Sequence, residues 1–349
     1  MGQPVVVRDL DELTSWYADW SSLRVAVLGL DDAGFAVADS LAELRASVLV
    51  FADEAAGSHR EELVDLLSVI GARFTRYVEP QEAADELASF DPELVVVASG
   101  YRADHPVVAW AVARGIPIWG EIELAWRVRD KIAPTPHWNL VAGASGVTLT
   151  STLAAHLLVG GGQRCVVAGS VGMLALDAVR DPLGFDGLVV ALSPDQLAWM
   201  RRAGPGSLAP AVSVCLSIDP LMADAAKAFG TVYANTAIAC VYNIADVATM
   251  LLVEEAEVQE GCRAIGFGLG APGRSDLGMV GDIVVDRAFL DDRHSTALEL
   301  TTHGELAGAG LATPELIAQV LAACAIARAH GVSPAEVRAA LATFSTAGL

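Results

Sequence analysis

Short apolar runs alternate along the chain with stretches whose apolar positions recur every three or four residues, the pattern of parallel strands covered by helices. Runs over 24–28, 47–51, 94–98 and 116–119 read as strands, with helices over 35–45 and 107–114 between them. A polar, proline-containing stretch, 130–138, closes this first series. A second series opens with a strand over 139–142, a glycine turn and a helix over 148–158. Strands follow over 165–168, 188–192, 213–217, 236–241 and 264–268, then a hairpin strand over 282–288. The tail, 314–344, reads as helical, with Ser333 capping a helix that starts at Pro334. The pattern predicts an α/β protein: a Rossmann-like domain over 1–133 followed by a P-loop-type domain over 134–349.

Each series begins strand, glycine turn, helix, the arrangement that sets a phosphate against helix N-terminal amides. In the first turn, Gly29-Leu30-Asp31-Asp32-Ala33-Gly34, the outer glycines of GxGxxG are present but Asp31 stands in the middle. Glycine at that place lets backbone approach a pyrophosphate. A carboxylate there adds bulk and repels a phosphate; alternatively, Asp31 or Asp32 simply caps the helix. The second turn, Gly143-Ala144-Ser145-Gly146-Val147-Thr148, has the outline of a P-loop with Val147 in place of its lysine. Gly143, Ser145, Gly146 and Thr148 still offer amides and a hydroxyl, but valine supplies no charge for a terminal phosphate.

Composition narrows the field. A net charge of −21 over 349 residues excludes a nucleic-acid-binding surface. The apolar runs are too short to cross a bilayer, and the N-terminus has no basic-then-apolar export segment, so cytoplasm is the expected compartment. Of 22 basic residues only Lys131 and Lys227 are lysines. The five cysteines have no CxxC spacing and read as buried free thiols, with neither zinc nor disulfides implied. The seven histidines are dispersed without metal-ligand helical spacing, so no metal site is expected. His294 beside Asp291 and Asp292 reads as an exposed turn, and Ser193 lacks a nucleophile elbow.

The segment Asp104-His105-Pro106, followed by Gly115-Ile116-Pro117-Ile118-Trp119-Gly120-Glu121-Ile122-Glu123-Leu124, resembles the Mur ligase family and is most like its D-glutamate-adding branch. The resemblance extends with decreasing clarity to 338–344 and so covers nearly the whole chain. It implies a Rossmann-like uridine-binding domain and a central ATPase domain, in an enzyme that joins D-glutamate to a UDP-linked muramoyl-alanine through an acyl-phosphate.

Against the family's motifs the chain departs at several places. The P-loop G-T-N-G-K-T-T corresponds to Gly143–Leu149, without the lysine. G-N-I-G corresponds to Gly169-Ser170-Val171-Gly172, and E-L-S-S-F-Q-L to Ala191-Leu192-Ser193-Pro194-Asp195-Gln196-Leu197, without the magnesium-holding glutamate. The N-x-x-x-D-H-x-D stretch has no counterpart after Ser217-Ile218-Asp219. Lys227 matches the lysine that the family carbamylates. In the uridine site Asp31 interrupts the first turn, and Ser99-Gly100 lacks the proline of an S-P-G turn. The chain stops at Leu349, where the family's third domain begins.

These departures lead to the expectation of a degenerate Mur-ligase homologue: a pseudoenzyme binding or regulating cell-wall precursors in peptidoglycan biosynthesis, with neither ATP nor magnesium as a cofactor. The alternatives are an enzyme repurposed for a nucleotide-independent reaction in specialised metabolism and a ligase subunit completed by a partner. The expected ligand is a small molecule or protein in an interdomain cleft, with no membrane partner and a possible homodimer. Candidate catalytic residues are Lys227, Ser193 and Asp195; Asp219 and the stretch 233–235 stand near them in the reading. Candidate ligand-binding residues are Gly29, Asp31, Gly34, Ser99, Gly100, Gly143, Ser145, Gly146, Thr148 and Ser170.

Overall fold

The computed structural model describes residues 9–54, 61–98, 101–200, 203–219 and 228–346. Two compact units emerge: one of 1–133 together with 199–208, the other of 134–198 and 209–349.

The first unit is built on a sheet of order β3-β2-β1-β4-β5. Its strands are β1 (Arg24–Leu28), β2 (Ser47–Asp53), β3 (Arg73–Tyr77), β4 (Leu94–Val97) and β5 (Ile118–Gly120), all parallel. Helices α1 (Asp32–Glu43), α2 (Glu61–Val69), α3 (Pro80–Phe90), α4 (Pro106–Ala113) and α5 (Glu121–Arg127) alternate with them. Every residue of β4 and nearly all of β1 are buried, as a parallel sheet flanked on both faces requires. β3 escapes the sequence reading because its residues, RFTRY, carry two arginines on a partly exposed edge strand. β5 starts two residues later than the apolar run. Gly115 takes a left-handed conformation (φ 68°) and the Ile116 amide donates to Ala111 O at 3.1 Å, so that stretch closes α4 instead.

Among the described residues the second unit has a nine-stranded sheet, order β14-β13-β12-β11-β10-β9-β6-β8-β7. The strands are β6 (His137–Ala142), β7 (Cys165–Gly169), β8 (Gly187–Ala191), β9 (Val212–Cys215), β10 (Ala239–Asn243), β11 (Arg263–Phe267), β12 (Asp276–Val280), β13 (Ile283–Asp286) and β14 (Leu298–Thr302). The run β7 to β12 is parallel, and β13 and β14 add an antiparallel edge. The predicted strand over 236–241 is displaced to Ala239–Asn243, because Thr236 is committed to a turn: its amide and its hydroxyl both donate to Tyr233 O.

Among the described residues the unit has helices α6 (Val147–Gly160), α7 (Ala175–Arg180), α8 (Pro194–Ala198), α9 (Val247–Glu254), α10 (His303–Gly308), α11 (Pro314–Ala329) and α12 (Pro334–Thr343). α11 packs against α6, β10 and β11, and from Val320 to Arg328 every residue is buried. Its one charge in that stretch, Arg328, meets Asp286 of β13 at 2.8 Å and also donates to two backbone carbonyls, which makes burial of the pair tolerable. α12 begins as the sequence predicts, with Ser333 and Glu336 forming a reciprocal capping box.

Candidate functional site

In the first unit the turn after β1 is shaped by close backbone approach. Gly29 has φ 107°, and a Cβ on Gly34 would lie 2.1 Å from Gly29 O, so both outer glycines are obligatory. Asp31 is the N-cap of α1: its carboxylate accepts the Gly34 amide at 2.9 Å. One amide that a phosphate would use at this helix is therefore already bonded. Ser99 and Gly100 lie outside the described residues.

A polar cluster that the sequence reading did not assemble stands beyond the carboxyl ends of β2 and β3. The Tyr77 hydroxyl donates to the Tyr101 hydroxyl at 3.0 Å, and the Tyr101 ring meets His105 edge-on at 4.8 Å. His105 Nε2 lies 3.7 Å from a carboxylate oxygen of Asp53, while its Nδ1 accepts the Val107 amide. Burial pushes both tyrosine hydroxyls up from their ordinary range, so they act as neutral donors and acceptors. The available signal was Asp53, an acid at the end of β2 some two dozen residues past the glycine turn, the place where dinucleotide-binding folds hold a ribose.

In the second unit four turns converge on one edge of the sheet, because β9, β6, β8 and β7 are successive parallel neighbours and end level with one another. After β6, Gly146 adopts φ 80° and caps α6 without any side-chain bond to the helix amides. A Cβ on Gly143 would lie 2.9 Å from Leu216 Cβ, and the Ala144 amide donates to Ser217 O, tying the turn to the chain leaving β9. Ser145 and Thr148 are exposed. Val147 is half-buried and packs against the core cluster of the unit.

After β7, Gly169 (φ 99°) and Gly172 (φ 77°) hold the turn against backbone carbonyls, and Ser170 donates through both its amide and its hydroxyl to Ala191 O. After β8, Ser193 and Gln196 exchange bonds: the Ser193 hydroxyl accepts the Gln196 amide at 3.2 Å, and the Gln196 side chain accepts the Ser193 amide at 2.9 Å. Ser193 thus caps α8, and Asp195 lies exposed on that helix. After β9, Asp246 fastens the chain by accepting the Ile218 amide, and Asn243 does so by donating to Leu216 O. The buried Ser217 hydroxyl has no hydrogen-bond partner among the described residues.

The sequence-predicted residues Gly143, Ser145, Gly146, Thr148, Ser170, Ser193 and Asp195 therefore share this edge, with Asp219 two residues beyond Ser217. Tyr233 does not join them. It is fully buried, donating to Val241 O and accepting the Cys215 amide. Lys227 lies outside the described residues. Among the described residues no three His, Cys, Asp or Glu side chains gather as metal ligands, and no helix is long and apolar enough to cross a membrane.

No protein-family model matches the chain. The UDP-N-acetylmuramoylalanine--D-glutamate ligase of Leifsonia xyli subsp. xyli is 51% identical over 350 residues, taking in 96% of this chain and 66% of that protein. The protein of the same name from Tropheryma whipplei is 41% identical across 96% of this chain and 69% of its own length. The chain belongs to this ligase family. It spans about two thirds of the length of the curated relatives it matches. At the level of fold, a crystal structure of a UDP-N-acetylmuramate:L-alanyl-gamma-D-glutamyl-meso-diaminopimelate ligase from Neisseria meningitides aligns with a TM-score of 0.55 at 13% identity, covering 93% of this chain and 99% of that one.

Membership corrects the functional expectation drawn from the motif departures. Relatives at 41–51% identity along nearly the whole chain are named as D-glutamate ligases, which overturns the reading of a binding or regulatory pseudoenzyme and the alternatives attached to it. Val147 and the other changed residues stand in a chain that is 41–51% identical to those ligases. Such departures do not remove a chain from the D-glutamate ligase family.

Proposed function

We propose that the protein acts in the reaction its curated relatives are named for, joining D-glutamate to UDP-N-acetylmuramoylalanine, and so serves peptidoglycan synthesis in the cytoplasm. The observation that carries this reading is the 51% identity to a D-glutamate ligase across 96% of the chain. The convergence of four strand-end turns on one sheet edge supports it, because open α/β sheets bind ligands there. Five cysteines without a disulfide support the compartment.

The fold family implies ATP and magnesium, and the described side chains fit that pair poorly. The α6 N-terminus is free of a side-chain cap and begins at a left-handed Gly146, so its backbone amides suit an anion. Val147 provides no cation, and no cluster of metal-ligating side chains stands among the described residues. No step is therefore derived through a bound nucleotide. What the chain's own groups supply is orientation: backbone amides at Gly143–Thr148, and turns held rigid by Ser170, Ser193 and Asp246.

The test is direct. Purified full-length protein is incubated with UDP-N-acetylmuramoylalanine, D-glutamate, ATP and Mg²⁺, and the amide product is followed by mass spectrometry beside the Leifsonia xyli enzyme. Product that depends on D-glutamate and is absent with L-glutamate is expected. Its absence under conditions where the reference enzyme turns over would overturn the proposal.

A further inference from the structure

Two of the five cysteines come together by strand register. Cys240 is the second residue of β10, and Cys262 immediately precedes β11. The parallel ladder pairs Cys240 with Ala264, two residues beyond Cys262, and side chains two apart on a strand share a face. The two sulfurs lie 3.8 Å apart. Cys240 is buried while Cys262 is partly exposed, so one member of the pair is reachable from solvent.

The surroundings of the two thiols differ in a useful direction. Cys262 is held below the ordinary thiol range by its hydrogen bond with Cys240, helped by the backbone at Arg263 and Cys240. Cys240 is pushed up by that same bond and by burial. Burial, with a nearby aspartate in each case, raises Cys165, Cys215 and Cys324 to about 12, which leaves them as protonated, unreactive thiols.

We propose that Cys240 and Cys262 form a reversible dithiol–disulfide pair that is oxidised by hydroperoxides through Cys262. The Cys262 thiolate attacks a peroxide oxygen. The O–O bond breaks, and the departing oxygen takes a proton from solvent and leaves as water (or as an alcohol from an organic hydroperoxide), giving a sulfenic acid. The Cys240 sulfur then attacks Cys262 Sγ, the S–S bond forms, and the S–O bond breaks with loss of a second water that carries the Cys240 proton. Two thiols are oxidised by two electrons and one peroxide is reduced. A disulfide needs its sulfurs about 2.05 Å apart, so rotation of the two side chains has to close the remaining gap. The product would staple β10 to the turn before β11, across 22 residues of chain. This inference stands apart from the proposed ligase activity.

The experiment oxidises the full-length protein with a few equivalents of hydrogen peroxide, counts titratable thiols, and maps peptides by mass spectrometry without reduction. Loss of two of the five thiols, a Cys240–Cys262 linked peptide, and full recovery with dithiothreitol are expected, with the oxidised form melting several degrees higher. In Cys240→Ser, Cys262 should instead accumulate sulfenic acid that dimedone traps; in Cys262→Ser, Cys240 should stay reduced. Survival of all five thiols, or oxidation of Cys262 to sulfinic acid in the unmutated protein without any linked peptide, would overturn the proposal.

Discussion

Single residues decide how the two glycine turns treat charge. Asp31 turns the first helix start inward, satisfying an orphan amide with its own carboxylate, an arrangement typically worth about 1 kcal/mol. At the second turn Val147 packs its side chain against the core, so any phosphate there meets backbone dipoles and neutral hydroxyls but no cation from this position. ATP·Mg²⁺ should consequently bind more weakly than about 100 µM by calorimetry, near the weak end of ordinary substrate affinities. Val147→Lys, which restores a point charge at the start of α6, should tighten binding by about tenfold or more, corresponding to ~1.4 kcal/mol. Micromolar affinity in the unmodified protein would show that the turn does not need the cation. Both departures were legible in the sequence because each is a change of residue type at a fixed offset from a glycine. The Asp53–His105–Tyr101–Tyr77 cluster was not, since its members come from three strand ends and a helix start that only the fold brings together.

Elements are held in register by a few buried polar contacts, of which His330 is the clearest. It follows α11, and its Nε2 lies 2.6 Å from Asn139 Oδ1 on β6, so the imidazole is the donor. Burial, with His137 as a neighbour, lowers its pKa from 6.5 to about 4. The folded value lies below the unfolded one, so protons favour the unfolded chain. Stability is therefore full above about pH 6.5 and declines as the pH falls towards 4, by about 2 kcal/mol at pH 5. Urea unfolding at pH 7 and pH 5 should show this loss, and His330→Gln should remove most of it; an unchanged slope in the variant would assign the pH dependence to carboxylates. At this scale the parallel strands were readable wherever an apolar run was continuous, as in β1, β4, β6 and β8. β3, β12 and β14 were not, because charged or half-exposed edge strands (β3, β14) and a short strand broken by glycine (β12) carry no such run.

Across the whole molecule, sequence order and compactness part company at 199–208, which belongs to the first unit although the chain has by then entered the second. Trp199 packs against the first unit's core and donates from its indole to Tyr101 O, and Leu208 is buried. Arg127, buried and paired with Glu123, donates to Pro205 O in this segment and to Leu10 O and Leu13 O near the start of the chain. A fragment of residues 1–133 keeps Leu10 and Leu13 but lacks Trp199, Pro205 and Leu208. Fully burying a side chain such as Leu208 contributes roughly 1.5–3 kcal/mol, a large part of what a domain has to spare, and the partly buried Trp199 adds to it. The fragment should bind a hydrophobic dye and show weak near-ultraviolet circular dichroism, whereas joining 199–208 to it through a flexible linker should restore a cooperative transition. Sharp two-state unfolding of 1–133 alone would contradict this. The same feature bears on how the chain is made. Proteins usually fold domain by domain as they leave the ribosome, the amino-terminal one first. Here the earlier unit cannot be completed until Leu208 has emerged, some 75 residues after Ala133, a wait of several seconds at ~5–20 residues per second. During that interval the five strands are present but part of their packing is not, and the completion of the first unit is tied to the synthesis of the second.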